Sequence, residues 1–249
     1  MAEHTISHAD ALFWGNSKKL GADDKRGVPM TPVYQADLGA PIALDANGLM
    51  IGATGTELPD TETVTYTFAD DGGVSPLDGA NQTGILDVAR NVTCLTTHGS
   101  SIVAMTVTVT GKDEYGEALV ETITIAATGT SAADNGVKAF KSVSSIAITA
   151  AADAELNTLN VGWGDVLGLP FRLGGEYDVL AAYADATEEL ASATVVAGVT
   201  TTASATTGDV RGTITPNTST DGSVNFRVWM KVNGVATDTE AYGVAQYGG

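Results

Sequence analysis

Three histidines, paired carboxylates and a few glycine-lysine stretches are the residues in this sequence from which chemistry could be built. His98 sits in Thr97-His98-Gly99-Ser100, whose composition predicts a turn between strands. His4 and His8 are four apart, a spacing that puts both on one face of a helix, but they lack the glutamate of a zinc-protease motif. No Gly-x-Ser-x-Gly elbow is present to present a serine to a base. Gly15-Asn16-Ser17-Lys18-Lys19-Leu20-Gly21 lacks Walker spacing, and Gly162-Trp163-Gly164 and Gly174-Gly175 lack the dinucleotide fingerprint, so both glycine stretches are expected to be turns. Asp23-Asp24, Asp70-Asp71 and Glu188-Glu189 serve glycoside hydrolysis only if the fold sets two of them across a sugar cleft. Asp45-Ala46-Asn47-Gly48 resembles the start of a calcium loop without its terminal acidic ligand. Trp14, Trp163, Trp229 and the tyrosines suit a carbohydrate platform, a core or a subunit interface. The expectation is therefore no enzyme, no metal and no cofactor.

The elements that must hold these residues are strands. In Met105-Thr106-Val107-Thr108-Val109-Thr110 the apolar residues share one face and the threonines the other, the period of a half-buried strand. The alternation resumes at Glu121-Thr122-Ile123-Thr124-Ile125 after a glycine-bearing turn, which predicts an antiparallel hairpin. Val224, Phe226, Val228, Met230 and Val232 alternate in the same way between Asp221-Gly222 and Asn233-Gly234. Val107, Val109, Ile123, Ile125, Phe226 and Val228 are expected to be buried. Further strands are expected at 63–68, 84–97, 137–149, 159–163, 195–202 and 210–215. Weak helical patterning appears only at 150–156 and 181–193. The fold class is all-β: an antiparallel β-sandwich or jelly-roll-like body behind an extended N-terminal arm. The expected divisions are 1–62 for the arm, 63–165 for the sandwich body, and 166–249 for a second β-rich region, either separate or packed into the same body.

The 249 residues include 12 Lys+Arg, 30 Asp+Glu and 1 Cys, a net charge of −18, which makes nucleic acid a poor partner for the whole chain. Cys94 cannot form an internal disulfide, and the first residues lack the regions of a secretory signal, so synthesis in a reducing cytoplasm is expected. The longest uncharged run, 190–208, is rich in Thr, Ser and Ala and reads as strands, so no membrane partner is expected. Four prolines (Pro29, Pro32, Pro41, Pro59) fall in the arm. Lys18, Lys19, Lys25 and Arg26 concentrate a third of the basic residues there, either as a solvated cluster or as a grip on an acidic neighbour.

Beyond these patterns, an ordered set of segments resembles tailed-bacteriophage virion structural proteins, most of all capsid decoration (cement) proteins. It comprises Arg90-Asn91-Val92-Thr93, the block from Met105 through Gly111-Lys112-Asp113-Glu114-Tyr115-Gly116 to Glu121-Thr122-Ile123, Gly129-Thr130, and Lys138-Ala139-Phe140 through Ile146. Gly164-Asp165-Val166-Leu167-Gly168-Leu169-Pro170 and Asp209-Val210-Arg211-Gly212-Thr213-Ile214-Thr215-Pro216-Asn217 continue it, so the resemblance covers roughly residues 84–230. It implies a non-catalytic component on the outer surface of an icosahedral head. Its expected partners are the major capsid protein and further copies of itself, as a homo-oligomer for which a trimer is expected. The capsid-binding residues would be Lys18, Lys19, Lys25 and Arg26. The other reading of the same resemblance is a phage tail or adhesin component that binds host-surface glycans; a polysaccharide hydrolase or lyase is the enzyme reading.

Overall fold

The computed structural model describes residues 33–232 and 238–249. The most regular sequence alternation produces the most regular pairing. Strands β5 (Met105–Lys112) and β6 (Ala118–Ile125) form an antiparallel hairpin in unbroken register from Met105 opposite Ile125 to Lys112 opposite Ala118. β8 (Phe140–Ala150) pairs with the other edge of β5, and β3 (Thr63–Thr67) pairs with β8. A second half-sheet runs β2 (Asp45–Ala53), β9 (Asn157–Gly168), β4 (Ile85–His98), β7 (Ser131–Asn135). The β4–β8 contact, with Arg90 opposite Phe140, joins the halves into one curled sheet. Inside it, Leu49, Val92, Val107, Ile123, Phe140, Ile148 and Val161 form a single apolar core.

A smaller sheet is ordered β1 (Val33–Gly39), β14 (Phe226–Lys231), β10 (Val179–Ala184), β11 (Thr187–Glu188). Its inner residues Ala36, Val179, Ala182, Val228 and Met230 form a second core with Leu167 from the end of β9 and Ile214 from β13 (Gly212–Thr215). β12 (Thr194–Ala197) pairs with β13, which in turn pairs with β9. The architecture is thus the expected all-β, sandwich-like one, and all six residues named for burial are buried.

Three details differ from the sequence reading. Residues 33–62, expected within the arm, supply β1 and β2, and Leu49, Met50 and Ala53 enter the main core. Their short apolar run is broken by Gly48 and Gly52, which hides its period. The division expected after 165 falls inside β9: Val161 and Trp163 belong to the first core and Leu167 to the second, so one strand serves both. The helical patterns lead nowhere, because Ala150 ends β8 and 151–156 is a loop, while 181–193 holds most of β10 and all of β11, where small residues pack between strands. The described helices are α1 (Phe68–Asp71) and α2 (Asp238–Tyr242). None is long and apolar enough to cross a membrane.

Candidate functional site

The charged residues of the motif set lie where the two cores meet, and most are buried. Asp113 follows β5 at a position that continues its inward face, and its carboxylate receives the backbone N–H groups of Tyr115 and Glu117 at 2.8 and 2.9 Å. Its other oxygen takes Nη2 of Arg211 at 2.8 Å, with the two side chains 0% and 4% exposed. Arg211 Nε donates to the carbonyl of Leu169, and its guanidinium lies over the Tyr115 ring, 5.0 Å from the centroid. A turn of the large body is therefore tied directly to the start of β13.

A second tie lies beside it. Glu121 shares a face with Ile123 and Ile125 and is buried with them. It accepts the N–H groups of Val137 and Lys138, at 2.6 and 3.2 Å to Oε1. Burial pushes its carboxyl up to about 7, although these hydrogen bonds and the Lys138 ammonium oppose the shift. Lys138 Nζ donates to the carbonyls of Val120 and Ser204 at 2.9 and 2.6 Å and lies 5.6 Å from the Tyr247 ring centroid. Burial lowers its pKa, against the pull of Glu121 and Asp209. Asp209 accepts from Ala139 N across the boundary and from Arg211 N and Gly212 N in its own turn. Burial raises its pKa, with Arg211 opposing. The outer edge of β6 is covered by the same segments, Thr122 N donating to Ala205 and Val120 N to Tyr247.

Arg90 and Asn91 make the third tie. Arg90, fully buried, donates to the carbonyls of Gly164 and Ile42 at 2.6 and 2.9 Å. Burial lowers its pKa, with Asp87 opposing. Asn91 donates to Gly136 O and accepts from Val166 N. No protein family, curated protein or solved structure matches this chain. The reading of its function therefore rests on where its own residues are placed.

Beside the seam, a cleft of roughly 290 Å³ opens between β1 and the large body, with Asp37, Glu114, Lys141 and Tyr115 on its walls. Four rings from separate segments form a chain at its edge: Tyr34 against Phe171 at 4.6 Å, Phe171 against Tyr242 at 5.5 Å, and Tyr242 against Tyr115 at 5.5 Å between centroids. The three tyrosines are between 42% and 50% exposed. Tyr115 also donates its hydroxyl to Pro170 O, bridging the two cores at the surface.

The other residues considered for chemistry have local structural partners. His98 Nδ1 accepts the N–H groups of Ser100 and Ser101, both at 2.9 Å, which fixes the turn. Asp70 and Asp71 bind Thr67 at the start of α1. Glu188 accepts from Leu190 N, while Glu189 accepts from Asn217 N and from the N–H and hydroxyl of Thr218. Burial would raise the Glu189 pKa, but these bonds hold it below the usual range. Asp45 turns the chain through Asn47 N. Gly162-Trp163-Gly164, expected as a turn, lies within β9 because glycine lets neighbouring chains approach: a Cβ on Gly162 would stand 1.7 Å from Asp45 O. Trp163 is buried and donates Nε1 to Ala43 O, whereas Trp229 meets Tyr183 edge to face on the small sheet. Gly174-Gly175 is a turn closed by Asp178. Among the described residues no three His, Cys, Asp or Glu side chains converge on a metal position. Lys18, Lys19, Lys25, Arg26, His4, His8, Asp23, Asp24 and Trp14 lie outside the described residues.

Sequence reasoning did not find the seam. The available signal was parity: Asp113 and Glu121 fall on the apolar side of their alternations. The grouping of Tyr34, Phe171 and Tyr242 has no counterpart in sequence, since their contact depends on the packing of distant segments.

Proposed function

We propose that this chain is a non-catalytic virion structural protein that decorates an icosahedral phage head and stabilises it by clamping neighbouring major capsid subunits. The observation that carries the reading is the seam: the buried charged motif residues Asp113, Glu121, Lys138, Asp209 and Arg211 are spent on an ion pair and hydrogen bonds that fix the segments where two β-cores meet. A clamp transmits load and needs such fixed geometry. Residues 33–249 carry 8 Lys+Arg and 26 Asp+Glu, hence the full −18, while residues 1–32 balance four of each. The basic cluster Lys18, Lys19, Lys25 and Arg26 is thus the segment suited to an acidic capsid patch, with the acidic body facing outward. Association of several copies around a symmetry axis multiplies weak contacts through effective concentration. The test is the copy number in purified virions relative to the major capsid protein. Decoration gives a ratio near one or a simple fraction of it, and a tail component gives a few copies per particle.

A second reading, a glycan-binding tail or adhesin subunit, draws support from the ring chain Tyr34, Phe171, Tyr242 and Tyr115 beside a cleft that carries carboxylates. Retention of the protein on host-surface polysaccharide, lost in Tyr34→Ala with Tyr242→Ala, is its test.

A further inference from the structure

The cleft between β1 and the large body differs from the seam in what its carboxylates do. Asp113 and Asp87, in the structure around it, have both oxygens engaged: Asp113 by the N–H groups of Tyr115 and Glu117 and by Arg211, Asp87 by Ile42 N and Arg90. The two carboxylates on the cleft walls are not saturated in this way. Asp37 on β1 accepts only Gly39 N, at 2.9 Å through one oxygen, among the described residues. Glu114, in the turn between β5 and β6, accepts no hydrogen bond among them; its ion-pair partner Lys141 Nζ stands 3.8 Å away and donates instead to Asp87 O at 2.8 Å. The rest of the lining is largely apolar, with Leu38, Val88, Leu167 and Leu169 beside the rings of Tyr34 and Tyr115. Arg211 already lies over the Tyr115 ring, so Tyr34 is the ring that carries no cation. At roughly 290 Å³ the cleft is at the lower end of the ~300–1,000 Å³ of small-molecule sites, a size for one compact unit.

We infer that this cleft takes a single amino-sugar unit, with Glu114 and Asp37 accepting from its protonated amine and hydroxyls and the C–H face of its ring against Tyr34. The charges decide the class. Two carboxylates against one ammonium leave the lining at −1, which one ligand ammonium balances. The spare groups are acceptors, and an ammonium with neighbouring hydroxyls brings donors to them. A saturated ring matches the apolar and aromatic lining through its C–H groups. An N-acetylated sugar lacks the charge, and a uronic acid carries the wrong one. The inference rests on the glycan-binding reading for the sugar body and adds to it the selection of a free amine.

The probe is the β-1,4-linked glucosamine disaccharide, compared with its N-acetylated counterpart by calorimetric titration at about pH 6 and about 0.15 M salt, where the amines are protonated and the field of the acidic chain is screened. The free-amine disaccharide should bind at least tenfold more tightly. Asp37→Asn with Glu114→Gln should remove that preference, and Tyr34→Ala should weaken the binding of the amino sugar tenfold, each with an unchanged circular dichroism spectrum. Asp60→Asn with Glu62→Gln removes the same charge from exposed positions outside the cleft and should bind as the parent does. The inference is overturned if the control loses as much affinity as the cleft variant, or if hexylamine binds as tightly as the disaccharide, which would assign the cleft to a lysine side chain. Equal binding of both disaccharides, lost in Tyr34→Ala, would overturn the amine selection and keep the glycan reading. Selective binding of the amino sugar by a protein that host-surface polysaccharide does not retain would keep the cleft assignment and remove that reading.

Discussion

The main core and the seam are held together by opposite means. The core under β4, β5, β8 and β9 is dominated by apolar side chains, from Val107 and Ile148 to Val161, with Thr96 and Asn157 the polar side chains buried among them on β4 and β9. The seam between it and the second core is made of an ion pair, a buried carboxylate and ammonium, and carbonyls that accept from Arg90, Lys138 and Arg211. Apolar contacts are tolerant of direction, and a core built from them survives small shifts. A hydrogen-bonded charge pair is not tolerant: moved by an ångström it leaves buried charge unpaired. The large body thus has an apolar core of its own, while directional polar contacts fix the segments that link it to the second core.

Breaking the ion pair tests this comparison most severely. Arg211→Met leaves the Asp113 carboxylate buried without its cation and should cost about 3–5 kcal/mol, read as a lower denaturation midpoint. Adding Asp113→Asn should recover part of that loss, and a double-mutant cycle measures the coupling. A loss as small as that of an exposed pair would mean that the seam carries no strain-bearing charge.

Glu121 makes the stability of the seam depend on pH. Its folded value of about 7 lies above the ~4.5 expected when unfolded, so between those values the folded protein keeps a proton that the unfolded chain has released. Stability should therefore fall as pH rises through that window, by an amount on the order of 3 kcal/mol, and be lowest for this group above pH 7. Glu121→Gln should flatten that slope in denaturant titrations run at several pH values. A slope unchanged in the variant would assign the pH dependence elsewhere.

At the surface end of the seam the effect should be smaller. Tyr115→Phe removes the hydroxyl that donates to Pro170 O but keeps the ring against Arg211 and Tyr242, and should cost about 1 kcal/mol in thermal or chemical unfolding. Smallest of all is the arm: Lys18→Glu, Lys19→Glu, Lys25→Glu and Arg26→Glu together should leave the unfolding midpoint within about 0.5 kcal/mol, while head attachment weakens and becomes more salt-sensitive.

The period-two segments made the sheets legible in sequence, because each buried side chain in β5, β6 and β14 announces its face through its neighbours. β1 and β2 were hidden by glycine and proline, and β10 by alanine, since small residues carry no hydrophobic signal even when fully packed. The seam was half legible: Asp113 and Glu121 stood at inward positions, but their partners Arg211 and Val137 are fixed by chain crossings that sequence order does not encode. The aromatic chain depends wholly on such crossings.

The proposed role of this molecule as a rigid clamp on a phage head is read out by the bursting of that head. Heads with and without the protein are heated, and genome release is followed by the fluorescence of a DNA-binding dye. The account predicts that heads lacking the protein, or carrying the Arg211→Met chain, release DNA several degrees below decorated ones, and that the parent protein added back restores the higher temperature. Heads that release DNA at the same temperature with and without it, while host adsorption fails in its absence, would contradict the account.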